Sequence, residues 1–338
     1  MTIAITGVSG FVGRVAAPLL GAQGHRVRGL VRAGGVLPAG ARPGGSGAAA
    51  AVPEVELVVG DLLRAESLAE LVRGADVVIH LAASITVSDT FDETAYRVNT
   101  EGTRLLLDAA RAAGVRRFVH VSSVVVFSQA PYDEPLDEGR GYAAESAYDY
   151  ERSKLAAHLL ALSYNGPGFE VIALAPTAVI GPYDSRPSRI GDTVVKVYRR
   201  RVPAIFSGGI DFVDVRDVAA AIVSALTLGS PGRTYLLAGG WHSLASLRDV
   251  IASVAGRRIW LPVLPVWLVR AAVPFVRVVT RGTGWFRYFN RAAIDKVLYS
   301  NRHVDSTRAR TELGFTSRPF AETVRDTINW FRDQGVIL

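Results

Sequence analysis

Residues 2–20, TIAITGVSGFVGRVAAPLL, decide the fold of this chain. Residues 2–6 form an apolar, β-branched run typical of a buried strand, and an apolar helical pattern covers residues 11–20. The spacing GxxGxxG places Gly7, Gly10 and Gly13 where the strand gives way to the helix. Glycines let backbone approach a ligand, and the free N–H groups and dipole of a helix N-terminus attract an anion. The stretch therefore predicts a strand, a turn and a helix that together bind a pyrophosphate.

The same alternation continues along the first half of the chain. Strand-like runs occupy residues 25–31, 55–59, 77–81, 118–122 and 171–175. Helical patterns separate several of them, most clearly at residues 64–73, 99–113 and 146–164. This alternation predicts an α/β fold of Rossmann type, with a doubly wound parallel sheet whose ligands bind beyond the carboxyl ends of the strands.

A length of 338 residues suits one Rossmann core with a smaller, mixed α/β lobe for the substrate. We predict a dinucleotide-binding domain of residues 1–180 plus about 211–238, and a substrate lobe of residues 181–210 plus 239–338. In the last helical pattern, residues 320–334, one of Trp330 and Phe331 should face inward.

A second informative feature is the pair Tyr150 and Lys154, in the segment AYDYERSKLAAH. The spacing i, i+4 places both side chains on one face of a helix. An ammonium group beside a phenol favours the phenolate and lowers the pKa of tyrosine from its usual value of about 10. Arginine cannot be tuned in this way, and only three of the 38 basic residues are lysines. The pair therefore predicts proton-transfer chemistry, with an exposed helix pair as the alternative.

Composition excludes several classes of function. The chain has no cysteine, and hence no disulfide and no thiolate nucleophile or metal ligand. Its six histidines show no zinc spacing, so we expect no metal. The net charge is +7, but the arginines are scattered and no nucleic-acid-binding module is present, so the charge is expected to attract an anionic cofactor. The first strand begins at residue 2 and leaves no room for a signal peptide, which predicts a cytoplasmic protein.

The order and spacing of further motifs resemble those of the extended short-chain dehydrogenase/reductases, the NAD-dependent epimerase/dehydratase superfamily. The motifs are TGVSGFVG at 6–13, GDL at 60–62, HLAA at 80–83, VNTEGT at 98–103, VSSVVVF at 121–127, YERSK at 150–154, PTAVIGP at 176–182 and FVDVRDVA at 212–219. The stretches GPYDSRPS and GRTYLLAGG are most similar to members of the dihydroflavonol-4-reductase and 3β-hydroxysteroid-dehydrogenase type. The resemblance covers nearly the whole chain.

The resemblance implies a role for each matching residue. Tyr150 is the expected proton donor to a substrate carbonyl, and Lys154 is expected to hold the nicotinamide ribose and to lower the pKa of Tyr150. Ser123 is expected to hydrogen-bond the substrate oxygen, with Ser122 as the neighbouring candidate. Asn99 is expected to begin the helix behind the site, unless it is simply a cap. The expected cofactor contacts are Gly7, Gly10, Phe11, Val12, Gly13, Arg32, Asp61, Leu62, Leu81, Ala82, Ala83, Asn99, Ser122, Tyr150, Lys154, Pro176, Thr177 and Val179.

Cofactor preference depends on the end of the second strand. An acidic residue there binds the ribose 2′-hydroxyl of NAD, whereas an arginine accommodates the 2′-phosphate of NADP. This chain has Arg32 at that place and no acidic residue before Glu54. The sequence predicts NADP(H), with NAD(H) as the alternative.

The resemblance also bears on the substrate. Nucleotide-sugar enzymes of this family typically carry an Arg-Asp pair that grips the diphosphate, and here Ile210 and Asp211 stand in that place. We therefore expect an oxidoreductase that interconverts a ketone and a secondary alcohol on a small, largely hydrophobic substrate. A nucleotide-sugar epimerase or dehydratase that holds NAD is the first alternative, and a non-catalytic NADP-binding protein is the second.

Residues 259–281 approach the length of a membrane span, but three prolines and internal Arg270 and Arg277 argue against one. Three roles are open for this segment. It could wall the substrate pocket, mediate formation of a homodimer, or rest on a membrane surface as a peripheral contact. The first is the main expectation, with Trp260 and Trp267 as the pocket-lining candidates.

Overall fold

The computed structural model describes residues 1–34, 55–85, 92–143, 148–269, 271 and 291–337. Its strands are β1 (Thr2–Thr6), β2 (Arg26–Val31), β3 (Glu56–Val59), β4 (Val77–His80), β5 (Arg117–Val121), β6 (Glu170–Pro176), β7 (Ala178–Ile180), β8 (Ile205–Phe206), β9 (Gly209–Asp214), β10 (Thr234–Leu237), β11 (Trp241–Ser243) and β12 (Val263–Leu264). Its helices are α1 (Phe11–Ala22), α2 (Ala65–Val72), α3 (Glu93–Ala112), α4 (Asp149–Ser163), α5 (Arg189–Tyr198), α6 (Val215–Ser224), α7 (Leu244–Val254), α8 (Arg291–Leu298), α9 (Thr307–Leu313) and α10 (Phe320–Asp333), with a 3₁₀ turn at Val124–Val126.

Among the described residues, the central sheet has seven strands in the order β3-β2-β1-β4-β5-β6-β10, all of them parallel. Thr6, the last residue of β1, pairs with Leu30 of β2 and with His80 of β4, so the carboxyl ends of these strands meet at one edge. The order of the strands reverses between β1 and β4, and such a reversal opens a ligand-binding crevice. The predicted doubly wound parallel sheet is confirmed.

Helices cover both faces of this sheet. On one face α1 and α6 pack around a core that includes Ile3 and Ile5, while on the other α2, α3 and α4 pack around Ala4 and Val78. Alternate residues of β1 thus enter opposite cores, which explains why the strand is apolar throughout rather than alternating. Each fully buried isoleucine or leucine contributes about 1.5–3 kcal/mol by leaving water, so the strand is firmly held under the glycine turn.

The rest of the chain forms smaller sheets around a separate core. Strands β7, β9 and β11 form one sheet and β8 pairs with β12, while α5, α7 and α10 pack beside them. Phe331 is fully buried in this core and Trp330 is half-buried, as the helical pattern predicts. The predicted domain boundaries stay a prediction. Strand β7, from the first predicted domain, pairs with β9 rather than with the central sheet.

Helix α3 differs most from its prediction, because it begins at Glu93 rather than at residue 99. The carboxylate of Asp92 accepts a hydrogen bond from the Ala95 N–H at 3.0 Å and so caps the helix. The first turns are polar and carry little of the apolar periodicity from which a helix is predicted. Within the described ranges, no helix is both long and apolar enough to cross a membrane.

Candidate active site

The glycine turn at the carboxyl end of β1 requires glycine for two different reasons. Gly7 has a φ of +74°, in the left-handed region, and a Cβ there would lie 2.7 Å from the Ala82 nitrogen. A Cβ at Gly13 would collide with the carbonyl oxygen of Gly7. Gly10 donates its N–H to that same oxygen at 2.9 Å and caps α1 without any side chain. The first N–H groups of α1 therefore carry no side-chain cap, which is the arrangement that binds phosphate.

Other predicted cofactor contacts surround this turn. Leu81 and Ala82 follow β4 and lie against Gly7, and the residues that are half-buried at this edge are Phe11, Val12, Leu81, Ala82 and Ala83. Leu62 is buried, and Asp61 accepts a hydrogen bond from the Leu63 N–H at 2.8 Å. Arg32 directly follows β2 and is exposed. The sheet thus gathers residues from three strand ends around one crevice.

Two arginines near the turn were not predicted. Arg14 is almost buried, and its Nε donates to the carbonyl oxygen of Ser9 at 2.8 Å, which orders the turn. Burial lowers the pKa of Arg14, and the positive charge of Arg186 lowers it further. The position of Arg14, directly after the third glycine, was the available signal. Arg186 comes from the loop after β7, which local pattern does not place.

Ser123, Tyr150 and Lys154 share one site. Tyr150 lies in the first turn of α4, with its hydroxyl beside Ser123, which precedes the 3₁₀ turn after β5. Lys154 is buried one turn further along α4, and its Nζ donates to the Val121 carbonyl oxygen at 2.9 Å. Ser122 is buried with no hydrogen-bond partner for its hydroxyl among the described residues. The structure therefore brings Ser123, rather than Ser122, to Tyr150.

The expectation that Lys154 lowers the pKa of Tyr150 is wrong for this structure. Burial raises the pKa of Tyr150 to about 12, and the hydrogen bond with Ser123 opposes only part of that rise. Burial also lowers the pKa of Lys154 to about 8, since desolvation disfavours the ammonium ion. The Lys154 ammonium is directed to the Val121 carbonyl, so its charge does not offset the enclosure of the phenol. Tyr150 is consequently a neutral phenol at physiological pH.

Asn99 lies in the interior of α3, so the expectation that it begins or caps a helix is wrong. Its Oδ1 accepts from the Ser84 N–H at 2.7 Å, and its Nδ2 donates to the Ser84 carbonyl and to the Ser153 hydroxyl, both at 3.0 Å. The Ser153 hydroxyl donates in turn to the Tyr150 carbonyl at 2.9 Å. Asn99 thus joins the segment after β4 to the first turn of the Tyr150 helix.

His80 extends this chain of hydrogen bonds to the glycine turn. The Thr103 hydroxyl donates to the Asn99 carbonyl at 2.6 Å, so it accepts from Nε2 of His80 at 2.8 Å. The Nδ1 of His80 is then the acceptor for the Thr6 hydroxyl at 2.7 Å. Burial lowers the pKa of His80 to about 3 and keeps the ring neutral. A continuous buried chain therefore connects the end of β1 with the helix that carries Tyr150.

A second unpredicted group covers Tyr150 from the lobe. The Lys296 ammonium lies 4.8 Å from the centre of the Tyr150 ring and 3.6 Å from the Glu151 carboxylate. Burial lowers the pKa of Lys296 and raises that of Glu151. The Tyr148 hydroxyl donates to Asp295 at 2.8 Å, a second contact between α8 and the start of α4. Lys296 is one of the three lysines in the chain, and that rarity was the only signal in the sequence.

The segment after β6 completes the site. Pro176 ends β6, the Thr177 N–H donates to the Leu237 carbonyl, and Val179 lies in β7. The Asp211 carboxylate accepts hydrogen bonds from the N–H groups of Gly239 and Gly240. Asp211 is thus occupied in holding a turn.

Trp260 and Trp267, the predicted pocket-lining candidates, are 73% and 70% exposed, so neither is enclosed in a pocket. The reason is local packing: Ile259 and Leu261, on either side of Trp260, are buried and turn it outward. The rest of the segment, residues 270 and 272–281, lies outside the described residues. The pocket-wall interpretation fails for the two tryptophans.

The chain is similar to known proteins over nearly its whole length or all of it. Residues 3–238 match the NAD dependent epimerase/dehydratase family. The chain is 29% identical to sterol demethylase protein B of Methylococcus capsulatus, over 100% of both chains. It is 27% identical to a 3-beta-hydroxysteroid dehydrogenase of Mycolicibacterium neoaurum, over 93% of this chain and 86% of the relative. The crystal structure of gox2253 is 29% identical with a TM-score of 0.79, covering 100% of this chain and 99% of that one.

Proposed function

Because this chain belongs to the NAD dependent epimerase/dehydratase family, whose enzymes use a nicotinamide dinucleotide, we propose that it interconverts a ketone and a secondary alcohol with NADP(H). The observation that carries the proposal is the half-buried Tyr150, whose pKa responds to the adjacent Ser123 side chain and which lies one helical turn from buried Lys154. These three groups lie beyond the carboxyl ends of β5 and the neighbouring strands, the edge at which the glycine turn also lies. The substrate is small and largely hydrophobic.

The residues at this edge fit a dinucleotide. Gly7 and Gly13 let the turn pack directly against the backbone of Ala82 and Val8, beside the start of α1, whose N–H groups have no side-chain cap and are available to a pyrophosphate. Arg14 lies close to the turn and supplies positive charge for phosphate. Exposed Arg32, directly after β2, supports NADP(H) over NAD(H) because its guanidinium can pair with a 2′-phosphate.

The step that the protein's own residues perform is a proton transfer. When bound, the nicotinamide supplies or accepts the hydride. The neutral Tyr150 hydroxyl donates its proton to the carbonyl oxygen of the ketone as that oxygen gains charge. The Ser123 hydroxyl donates a hydrogen bond to the same oxygen, and the Lys154 ammonium is available for the ribose hydroxyls. In the reverse direction Tyr150 is the base that accepts the proton of the alcohol.

Three features support an apolar substrate over a nucleotide sugar. Ile210, where the resemblance implies a diphosphate-gripping arginine, is half-buried among apolar residues of the lobe core. Asp211 beside it is committed to the turn at Gly239 and Gly240. One relative is named for a sterol and another for a steroid. The family also contains epimerases and dehydratases, so a nucleotide-sugar enzyme with tightly held NAD is the alternative to be tested.

The test is a screen of apolar ketones, steroid ketones, UDP-sugars and dTDP-sugars for turnover with NADPH and NADH. We expect turnover of an apolar ketone with NADPH, and no competition by UDP or dTDP at about millimolar levels. Micromolar competitive binding of UDP or dTDP in calorimetry, with NAD co-purified, would instead establish the nucleotide-sugar alternative. Cofactor binding without turnover of any substrate would favour a non-catalytic NADP-binding protein. The cytoplasmic location and the homodimer stay predictions.

A further inference from the structure

A short stretch of the lobe exposes several large apolar side chains. In residues 260–268, which we call the tryptophan segment, Trp260 is 73% and Trp267 is 70% exposed. Val263 and Leu268 in the same segment are also exposed. Scattered apolar residues are ordinary on a protein surface, but two tryptophans and two aliphatic residues within nine positions form a concentration that marks an interaction site.

The packing of neighbouring residues holds these side chains outward. Ile259 and Leu261 are buried in the lobe core on either side of Trp260, and Val269 is buried just after Leu268. Strand β12 is paired with β8, where Ile205 lies opposite Val263 and donates its N–H to the Pro262 carbonyl at 3.0 Å. The exposure of the two tryptophans is therefore imposed by the fold of the lobe.

A cluster of arginines adjoins the tryptophan segment, and we call it the basic rim: Arg199, Arg200, Arg201, Arg257 and Arg258. Two hydrogen bonds join its two stretches, from Arg200 to the Arg258 carbonyl at 2.6 Å and from Arg257 to the Tyr198 carbonyl at 2.7 Å. Arg258 precedes Trp260 by two residues, with buried Ile259 between them, so both side chains point to the same side of the protein surface. In the part of the chain that the structure describes, no carboxylate forms an ion pair with any member of the rim.

We propose that the tryptophan segment and the basic rim dock this protein onto an anionic lipid surface. Tryptophan rings favour the headgroup level of a bilayer, because the apolar part of the ring contacts lipid there while the indole N–H stays hydrated. Arginines beside them pair with anionic headgroups, and each adds roughly fivefold to the partition coefficient at low salt. A second copy of the chain is the less suitable occupant, because a symmetric contact would bring two unpaired basic rims together. The sequence offers no acidic residue between Asp249 and Asp295 to neutralise them.

The experiment is sedimentation of the full-length chain with vesicles of phosphatidylcholine alone and of phosphatidylcholine with about one third phosphatidylglycerol. We expect binding only to the anionic vesicles, a blue shift of tryptophan fluorescence, and weaker binding as salt rises. Trp260→Ser with Trp267→Ser, and separately Arg201→Glu with Arg258→Glu, should each lower the partition coefficient at least roughly tenfold.

Matched controls are Leu228→Ser, another exposed apolar residue, and Arg64→Glu with Arg73→Glu, the same change of charge on a different surface. The controls should bind as the unmodified chain does, and all variants should keep its thermal midpoint because the changed side chains are exposed. Equal binding to neutral vesicles, or equal loss in the controls, would overturn the proposal. A concentration-dependent dimer that the tryptophan variant abolishes, without vesicle binding, would identify a second copy as the occupant.

Discussion

The two sides of the crevice around Tyr150 are built in different ways. On one side, the glycine turn, the segment after β4 and the Tyr150 helix belong to successive strand–helix units, and parallel pairing aligns their ends. On the other side, Lys296 and Asp295 reach the start of α4 from α8, and Asp295 is 147 residues from its partner Tyr148. Local pattern therefore suffices to predict the first side, whereas the second depends on how the lobe packs.

The largest expected effect is on the first side. Tyr150→Phe removes the proton donor without changing the shape of the ring, so turnover of a ketone should fall about 100-fold or more while NADPH still binds. Steady-state kinetics and calorimetry measure the two quantities. Lys154→Met should weaken both, since Lys154 is expected to contact the cofactor. Unchanged turnover in the phenylalanine variant would remove Tyr150 from the mechanism.

His80 tests the buried chain that joins the glycine turn to the Tyr150 helix. His80→Leu leaves the Thr6 hydroxyl without its acceptor, and an unsatisfied buried group costs about 1–3 kcal/mol of the free energy of unfolding. Urea denaturation measures the loss, and turnover should fall with it.

The matched control for His80 is His158→Leu. His158 is also buried, but its Nδ1 has no partner among the described residues and its Nε2 lies 3.4 Å from the Thr234 hydroxyl. Its replacement should cost less than that of His80. Losses of equal size would mean that the hydrogen-bond chain has no special role.

Arg32 tests whether the first side also selects the cofactor. Arg32→Asp exchanges a charge-assisted contact to the 2′-phosphate for repulsion, so NADPH affinity should fall at least roughly tenfold while NADH affinity changes little. Fluorescence titration with both cofactors measures this ratio. Equal weakening of both cofactors would show that Arg32 does not read the phosphate.

A smaller effect is expected where the lobe meets α4. The Glu151 and Lys296 side chains are only 18% and 26% exposed, so a double-mutant cycle of Glu151→Gln and Lys296→Met should show a coupling of about 1 kcal/mol in the free energy of unfolding. The pair Arg97 and Glu101, at 56% and 38% exposure, is the control and should give about half that or less. Zero coupling for the first pair would contradict the docking of α8 on α4.

The pH dependence should separate kcat from KM. Since burial raises the pKa of Tyr150 to about 12, Tyr150 stays protonated and kcat for ketone reduction should not change from about pH 6 to 9. The pKa of Lys154, lowered by burial to about 8, means that its charge is present below pH 8 and lost above it. The KM for NADPH should therefore rise above about pH 8 if Lys154 holds the cofactor. A fall in kcat centred near pH 7 would show that the pKa of Tyr150 is lowered in the complex.

The strands of the central sheet and the glycine turn could be predicted because their signals are local. Strand β6, for example, is the predicted run at residues 171–175 extended by one residue at each end. The start of α3 could not be predicted, because the turns that follow its cap at Asp92 are polar and show no apolar helical pattern. The direction in which the pKa of Tyr150 shifts could not be predicted either, because it depends on how the folded chain encloses the phenol. Trp260 was expected to line a pocket because its segment is rich in aromatic and aliphatic residues. The packing of Ile259 and Leu261 turns it outward instead.

The sequence by itself determined the Rossmann-type sheet and the glycine turn, because residue types at short, regular spacing place side chains through the geometry of strands and helices alone. The Tyr150 and Lys154 pair is a prediction from the same kind of spacing, whereas Ser123 is a prediction from the family resemblance. Only the tertiary structure decided that the pKa of half-buried Tyr150 is raised and that Lys296 lies over its ring. Desolvation and contacts between distant segments have no local pattern, because they arise from how complete elements pack.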